Sequence, residues 1–189
     1  KLGCAELPEP LKRALAPMGF SIYVLSGWID KMDDQLEEAA QAHEQLVETF
    51  CEICGVGIQT ALAYIATIED PTRFDRSKQV GSYFGLAPSV SNSGNENSDA
   101  NNTGSITKQG DGLVRSLLVQ AAHTMLWSNQ RDSELRRFGK RIEAKKGKQK
   151  AVVALARKLS VVMHTLWVTG RDYDPFYYDN HHAADAASS

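Results

Sequence analysis

IYVLSGWIDKMDDQLEEAAQAHEQLVETF, residues 22–50, decides the architecture. Its apolar side chains fall three and four apart: Ile22, Leu25, Ile29, Met32, Leu36 and Ala39, then His43, Leu46 and Phe50. This is the spacing of a coiled-coil seam, one narrow stripe along a helix. Acidic residues flank it, among them Asp30, Asp33, Asp34, Glu37, Glu38, Glu44 and Glu48. The stripe predicts one long helix over 22–50 that pairs with another copy; the alternative is an amphipathic helix packed on its own domain. His43 sits at a core position of the seam and is its weak point. Upstream, Pro8, Pro10 and Pro17 predict a loose start.

Downstream the chain reads as further helices. Ile53-Cys54-Gly55-Val56-Gly57-Ile58-Gln59-Thr60-Ala61 places two glycines around one apolar residue, between the end of one helix and the start of the next. That is the hairpin of a helix-hairpin-helix. Glycine lets the backbone turn and approach a phosphate, and the free N–H groups at the start of the following helix (59–68) can bind that anion. Gly55, Gly57 and Gln59 are therefore candidate nucleic-acid contacts; a plain tight turn is the alternative. Ser77 is placed to N-cap a short helix through Tyr83, which Gly85 ends. Residues 89–104 are rich in Ser, Asn and Gly and read as a long surface loop. Leu113, Val114, Leu117, Leu118, Ala121 and Ala122 make one apolar helix face; Val152, Val153, Leu155, Ala156, Leu159, Val162 and Met163 begin another. Gly139 and Gly147 interrupt the basic stretch between them and predict a short helix and a loop over 131–150. No segment alternates like a strand. The class is mainly α, a coiled-coil-type helix followed by a helical domain containing a helix-hairpin-helix, divided as 1–50, 51–175 and a flexible tail over 176–189.

Composition narrows the function classes. Apolar residues at 42% and charged residues at 23% are those of a globular chain with a core, not a disordered one. No run of apolar residues is long enough for a membrane span, so no membrane partner is expected. Three cysteines, Cys4, Cys51 and Cys54, form no disulfide frame and suit a reducing cytoplasm. The net charge of −2 hides an asymmetry: residues 1–103 hold 7 Lys/Arg against 15 Asp/Glu, and residues 104–171 hold 14 against 4. A basic block of that size suits a polyanion such as DNA, or else solvated helix faces. The chain begins at Lys1 rather than at a methionine, so an upstream domain is expected to be missing.

The residues themselves offer little chemistry. Cys51-x-x-Cys54 lacks the other two ligands of a structural zinc site, so no metal site is expected in this chain. The basic half holds no group of carboxylates of the kind a two-metal nuclease needs. No phosphate loop and no Gly-x-Ser-x-Gly elbow occurs. Ser89, Ser91, Ser93 and Ser98 in the polar loop are nucleophiles only in principle.

Several blocks occur in a fixed order: Ile53-Cys-Gly-Val-Gly57, Phe74-x-x-Ser77-Lys78-Gln79, Tyr83-Phe-Gly-Leu-Ala-Pro88, Ser93-Gly94, Gly104-Ser-Ile-Thr-Lys-Gln-Gly110, Leu113-Val-Arg-Ser-Leu-Leu-Val-Gln-Ala-Ala122, Ala154-Leu-Ala-Arg-Lys158 and Tyr173-Asp-Pro175. Together they resemble the C-terminal transposase domain of the insertion-sequence one-ten family, the DEDD transposases guided by a bridge RNA. The helix before them resembles that family's coiled-coil linker. The resemblance implies DNA transposition by site-specific recombination. It implies a RuvC-like domain outside this chain that holds Mg²⁺ on four acids, with no cofactor in the chain itself. It implies DNA and a guide RNA as partners, dimers or higher assemblies, and a serine nucleophile that falls on Ser93, with Ser91 and Ser89 as neighbouring rivals. Lys108 and Arg115 are then candidates for steadying the phosphoryl transition state. The isolated chain is expected to be inactive. The sequence departs from the family at Cys54, where proline is usual, at Ser105 and Asp111, where arginine and asparagine are common, and at Glu96 and Asp99, in a segment often basic in relatives.

Overall fold

The structure is a computed structural model that describes residues 8–88, 106–128 and 131–177. These residues are mainly helical, as the periodicities predict, and they fall into two compact units, 1–42 and 43–189.

The first unit is one helix, α1 (Glu9–Gln41). The expected loose start is instead helical. Pro8 stands before the helix and Pro10 lies in its first turn, where a missing N–H costs nothing and a fixed φ helps. Glu9 and Lys12 pair across that turn at 2.8 Å. Pro17 lies inside the helix, where it has no N–H to bond the carbonyl four residues back and its ring crowds that carbonyl. The extension carries the seam back through Leu11, Leu15 and Met18, all exposed, as are Ile22, Leu25, Ile29 and Met32.

The helix expected over 22–50 is not continuous. It breaks at Ala42 and His43, and α2 (Glu44–Cys51) begins there. His43 takes a non-helical φ of −134° and its carbonyl accepts the amide of Val47 at 2.9 Å. The break falls at the seam's weak point. The residues after it, Val47 and Phe50, are buried in the second unit's core.

The second unit runs α2, α3 (Ile58–Ile68), a 3₁₀ turn (Pro71–Arg73), α4 (Lys78–Tyr83), α5 (Gly112–His123) prolonged by a π turn (Thr124–Ser128), α6 (Glu134–Lys146) and α7 (Lys148–Thr169). Helix α7 is the hub, packed against α2, α4, α5, α6 and the 3₁₀ turn. It is long and apolar enough to cross a membrane by composition, and its buried Ala151, Val152, Leu155, Ala156, Leu159 and Met163 give that apolarity a place in the core. Tyr64 of α3 is fully buried, stacks edge-on with Phe50 at 5.6 Å and donates its hydroxyl to the Ser160 carbonyl of α7 at 2.6 Å. Burial pushes that phenol well above its usual range.

Side-chain caps start α5 and α6. Asp111 accepts the Val114 amide at 2.8 Å, so the departure from asparagine keeps the cap of α5. Ser133 accepts the Arg136 amide at 3.2 Å and starts α6. Gly139 does not interrupt α6. A Cβ there would lie 2.7 Å from Leu126 Cδ2 and 3.0 Å from Leu155 Cδ2, so glycine lets the helix sink onto its neighbours. Gly147, at φ +83°, is the whole connection to α7, and the loop expected up to Lys150 is already helix. Ser77 precedes α4 without capping it. Its hydroxyl instead lies 3.0 Å from His164 Nδ1, while His164 Nε2 lies 3.0 Å from the Pro71 carbonyl. A carbonyl only accepts, so Nε2 carries the proton and Nδ1 accepts from Ser77. The tail expected over 176–189 lies, from residue 178 on, outside the described residues.

His164 generates a prediction. Desolvation pulls its pKa below the ordinary value, only partly opposed by the Pro71 carbonyl. The unfolded chain therefore takes up the proton first as pH falls. Stability is full above about pH 6.5 and declines as pH drops through the lower folded value. Urea midpoints should fall from about pH 7 to about pH 5 in the wild type and stay flatter in His164→Gln. A wild-type profile that is flat across that window would contradict the neutral, buried imidazole.

Candidate functional site

Two stretches cross behind α4 and before α5. The turn after α4 is pinned by Gly85, at φ +68°, and the approach to α5 by Gly110, at φ +84°. A Cβ on Gly85 would fall on the Gln109 backbone and one on Gly110 on the Tyr83 carbonyl, so only glycine permits this approach. The amide of Thr107 donates to Ala87 at 3.0 Å, and that of Lys108 to Gly85 at 3.1 Å. Pro88 and Ile106 close the crossing as an isolated antiparallel bridge. Arg115, from α5, donates Nη1 to the Phe84 and Gln109 carbonyls at 3.2 and 3.3 Å, tying the two stretches together.

The bridge joins the two described residues that flank 89–105. Ser89, Ser91, Ser93 and Ser98 lie outside the described residues, but their segment leaves and returns at Pro88 and Ile106. Those two residues also line a cleft of about 880 Å³ between α4, α6 and α7. Lys78, Lys146, Lys150, Arg157 and Lys158 line it too, above an apolar floor.

The candidate residues separate into two places. Lys108 and Arg115 both lie at the crossing; Lys108 is exposed, at φ +55°, and Arg115 is half-buried in its backbone contacts. The hairpin lies on α5 instead. Gly55, at φ +86°, passes so close to α5 that a Cβ would lie 2.6 Å from the Ala121 carbonyl oxygen. Its glycine is thus required by the chain's own packing. Gly57 is exposed, with open space around its Cα, and is the N-cap of α3 at φ −116° and ψ 175°. Gln59 is exposed in the first turn. The start of α3 is thus exposed at Gly57 and Gln59, while Thr60 is buried. Burial raises the Cys54 thiol pKa, while the charges of Arg131 and Arg136 oppose that shift. Burial likewise raises Cys51. Among the described residues no three of His, Cys, Asp or Glu gather to hold a metal.

The basic cleft went unread in the sequence. Val153 was placed on the core face of α7, but it is half-exposed and lines the cleft with Lys150, Ala154, Arg157, Lys158 and Val161. Their three- and four-residue spacing is itself a helix stripe. It is a mixed one, and the neighbouring apolar stripe masks it.

Comparison with known proteins bears on this region. Residues 47–138 match the family described as "Transposase IS116/IS110/IS902 family". The chain is 29% identical over 146 residues to "Transposase for insertion sequence element IS1111A" of Coxiella burnetii, covering 77% of this chain and 39% of that protein. It is 28% identical over 178 residues to "Pilin gene-inverting protein" of Moraxella lacunata, covering 87% of this chain and 54% of that protein. The chain thus spans about half, or less, of the length of these curated relatives.

The crossing should be intolerant of any side chain. Gly110→Ala is expected to cost about 1–3 kcal/mol, since it combines a positive φ with a backbone overlap. Gly57→Ser, at an extended N-cap with open space, should leave stability unchanged or raise it. Equal losses in urea denaturation would show that the crossing is not the constrained position.

Proposed function

Because the chain belongs through residues 47–138 to the Transposase IS116/IS110/IS902 family, we propose that it is the DNA-handling, serine-bearing part of a transposase. The observation that carries this reading is the bridge of Pro88 with Ile106. It holds both ends of the Ser93 segment at the edge of a cleft lined by five basic residues. A DNA strand drawn to those charges passes the roots of the loop that bears the hydroxyl.

In this reading the Ser93 Oγ attacks a DNA phosphorus. The O–P bond forms, the serine proton leaves to a base, and the displaced strand departs with its own oxygen. Attack by a second strand's hydroxyl then releases the serine and joins the DNA. A serine hydroxyl is a weak nucleophile until a base or metal acts on it. Mg²⁺ belongs, in this reading, to residues outside this chain, and guide RNA to the complete assembly. Lys108 is exposed at the crossing and available to a phosphoryl oxygen. Arg115, bonded to two carbonyls, holds the loop roots in position. Gly57 and Gln59 present the open hairpin amides to a phosphate of the same DNA.

The direct test is a protein–DNA adduct trapped from the complete transposase carrying this sequence, with guide RNA, Mg²⁺ and substrate DNA. Mass spectrometry should map the phosphodiester to Ser93, and Ser93→Ala should abolish strand transfer with binding nearly intact. A link at Ser91 or Ser89, or transfer by the Ala variant, would falsify the assignment.

The same reading makes α1 the assembly element. Its seam from Leu11 to Met32 is exposed, and exposed apolar stripes of that length favour pairing. Sedimentation should show a dimer or larger species at micromolar concentration, and Leu36→Asp should shift it to monomer. A wild-type monomer would remove α1 from that role.

A further inference from the structure

The cleft between α4, α6 and α7 has two unlike parts. Its rim carries Lys78, Lys146, Lys150, Arg157 and Lys158, and among the described residues no Asp or Glu lines it. Among the described residues, none of Lys78, Lys146, Lys150 or Arg157 is in an ion pair. Gly81 of α4 lies under the Arg157 stem, where a Cβ would come within 2.7 Å of Cγ. The missing side chain at Gly81 thus leaves room for the Arg157 stem beside α4. The floor is apolar, formed by Ile106, Phe138, Ile142 and Val153 among others, and Lys158 Nζ lies 5.3 Å from the Phe138 ring centroid.

We propose that this cleft holds an unpaired nucleic-acid strand, its phosphates on the basic rim and its bases on the apolar floor, at the foot of the serine loop. The proposal rests on the transposase reading and adds the form of the nucleic acid. A duplex turns phosphates and sugars outward and keeps its base faces stacked inside, so an apolar floor has nothing to meet there. An unpaired strand offers both phosphates and base faces, and cationic grooves with apolar platforms suit it. The acidic, apolar α1 of a second copy has similar complementarity. The nucleic acid is favoured because the cleft is continuous with the bridge that roots the proposed nucleophile's loop, and because the seam of α1 already matches itself.

The test measures anisotropy of a labelled oligothymidine of about 15 nucleotides, and of a duplex of that length, titrated with this chain. Lys78→Glu/Lys150→Glu alters two exposed rim residues away from the crossing. It should weaken oligothymidine binding at least about tenfold and make the log–log salt dependence shallower by about 1.4, the value for two lost single-strand phosphate contacts. Duplex affinity should change by less than about threefold, since the hairpin is untouched. A 5-bromodeoxyuridine oligonucleotide should photo-cross-link, in the unaltered chain, to peptides containing Phe138 or Val153; this arm decides the matter if the double variant does not fold. Equal losses for both forms would show diffuse electrostatics and overturn the proposal, as would no loss for either. Unchanged oligothymidine binding with loss of the dimer would give the cleft to a second copy's α1 and also overturn it. Duplex binding without oligothymidine binding removes the cleft proposal alone, whereas no binding of either form removes the DNA reading as well.

Discussion

Two backbone stretches pass within touching distance at Gly85 and Gly110, and the candidate site is arranged around that contact. Each glycine has a positive φ, and neither has room for a Cβ. The contact allows the amides of Thr107 and Lys108 to pair with Gly85 and Ala87, and it lets Arg115 reach carbonyls on both sides. Loop-closure entropy opposes holding the ends of a long segment together. Here the crossing meets that cost inside the packed domain, where Phe84, Leu86, Val114 and Leu118 are buried. The residues that flank the 17-residue segment 89–105 are thereby held together beside the basic cleft.

Much of the helical architecture is legible in the residues, because period and caps are local. The faces of α5 and α7 and the turn at Gly85 follow from spacing and residue type. Three failures share a physical cause: a partner distant in sequence decides each. Nothing near His43 breaks a helix by propensity; α1 ends there while Phe50 and Val47 enter a core built with α3 and α7. Gly139 looks like an interruption until Leu126 and Leu155 are seen against it. Ser77 looks like a cap until His164, 87 residues away, takes its hydroxyl.

The site was less legible than the fold. Gly55 and Gly57 look equivalent in sequence, yet one is shaped by Ala121 of α5 and the other faces open space. Only the second has open space around its Cα. Lys108 and Arg115 fall together at the crossing, but the Arg115 guanidinium is engaged with backbone carbonyls. The basic cleft needed three helices to assemble. Its residues come from α4, α6 and α7, and their charges are diluted in the sequence by the long basic block around them. The resemblance located Ser93 by motif, and the fold contributes the position of that serine's loop roots.

Amide hydrogen exchange at Thr107 and Lys108 tests most directly whether the crossing closes the base of the serine segment. Both N–H groups donate across it, to Ala87 and Gly85. Exchange as slow as that of core amides such as Leu118 in α5 is expected, because opening the crossing should require unfolding the domain around it. Exchange at the rate of free, solvated amides at both positions would contradict a fixed root for the Ser93 segment.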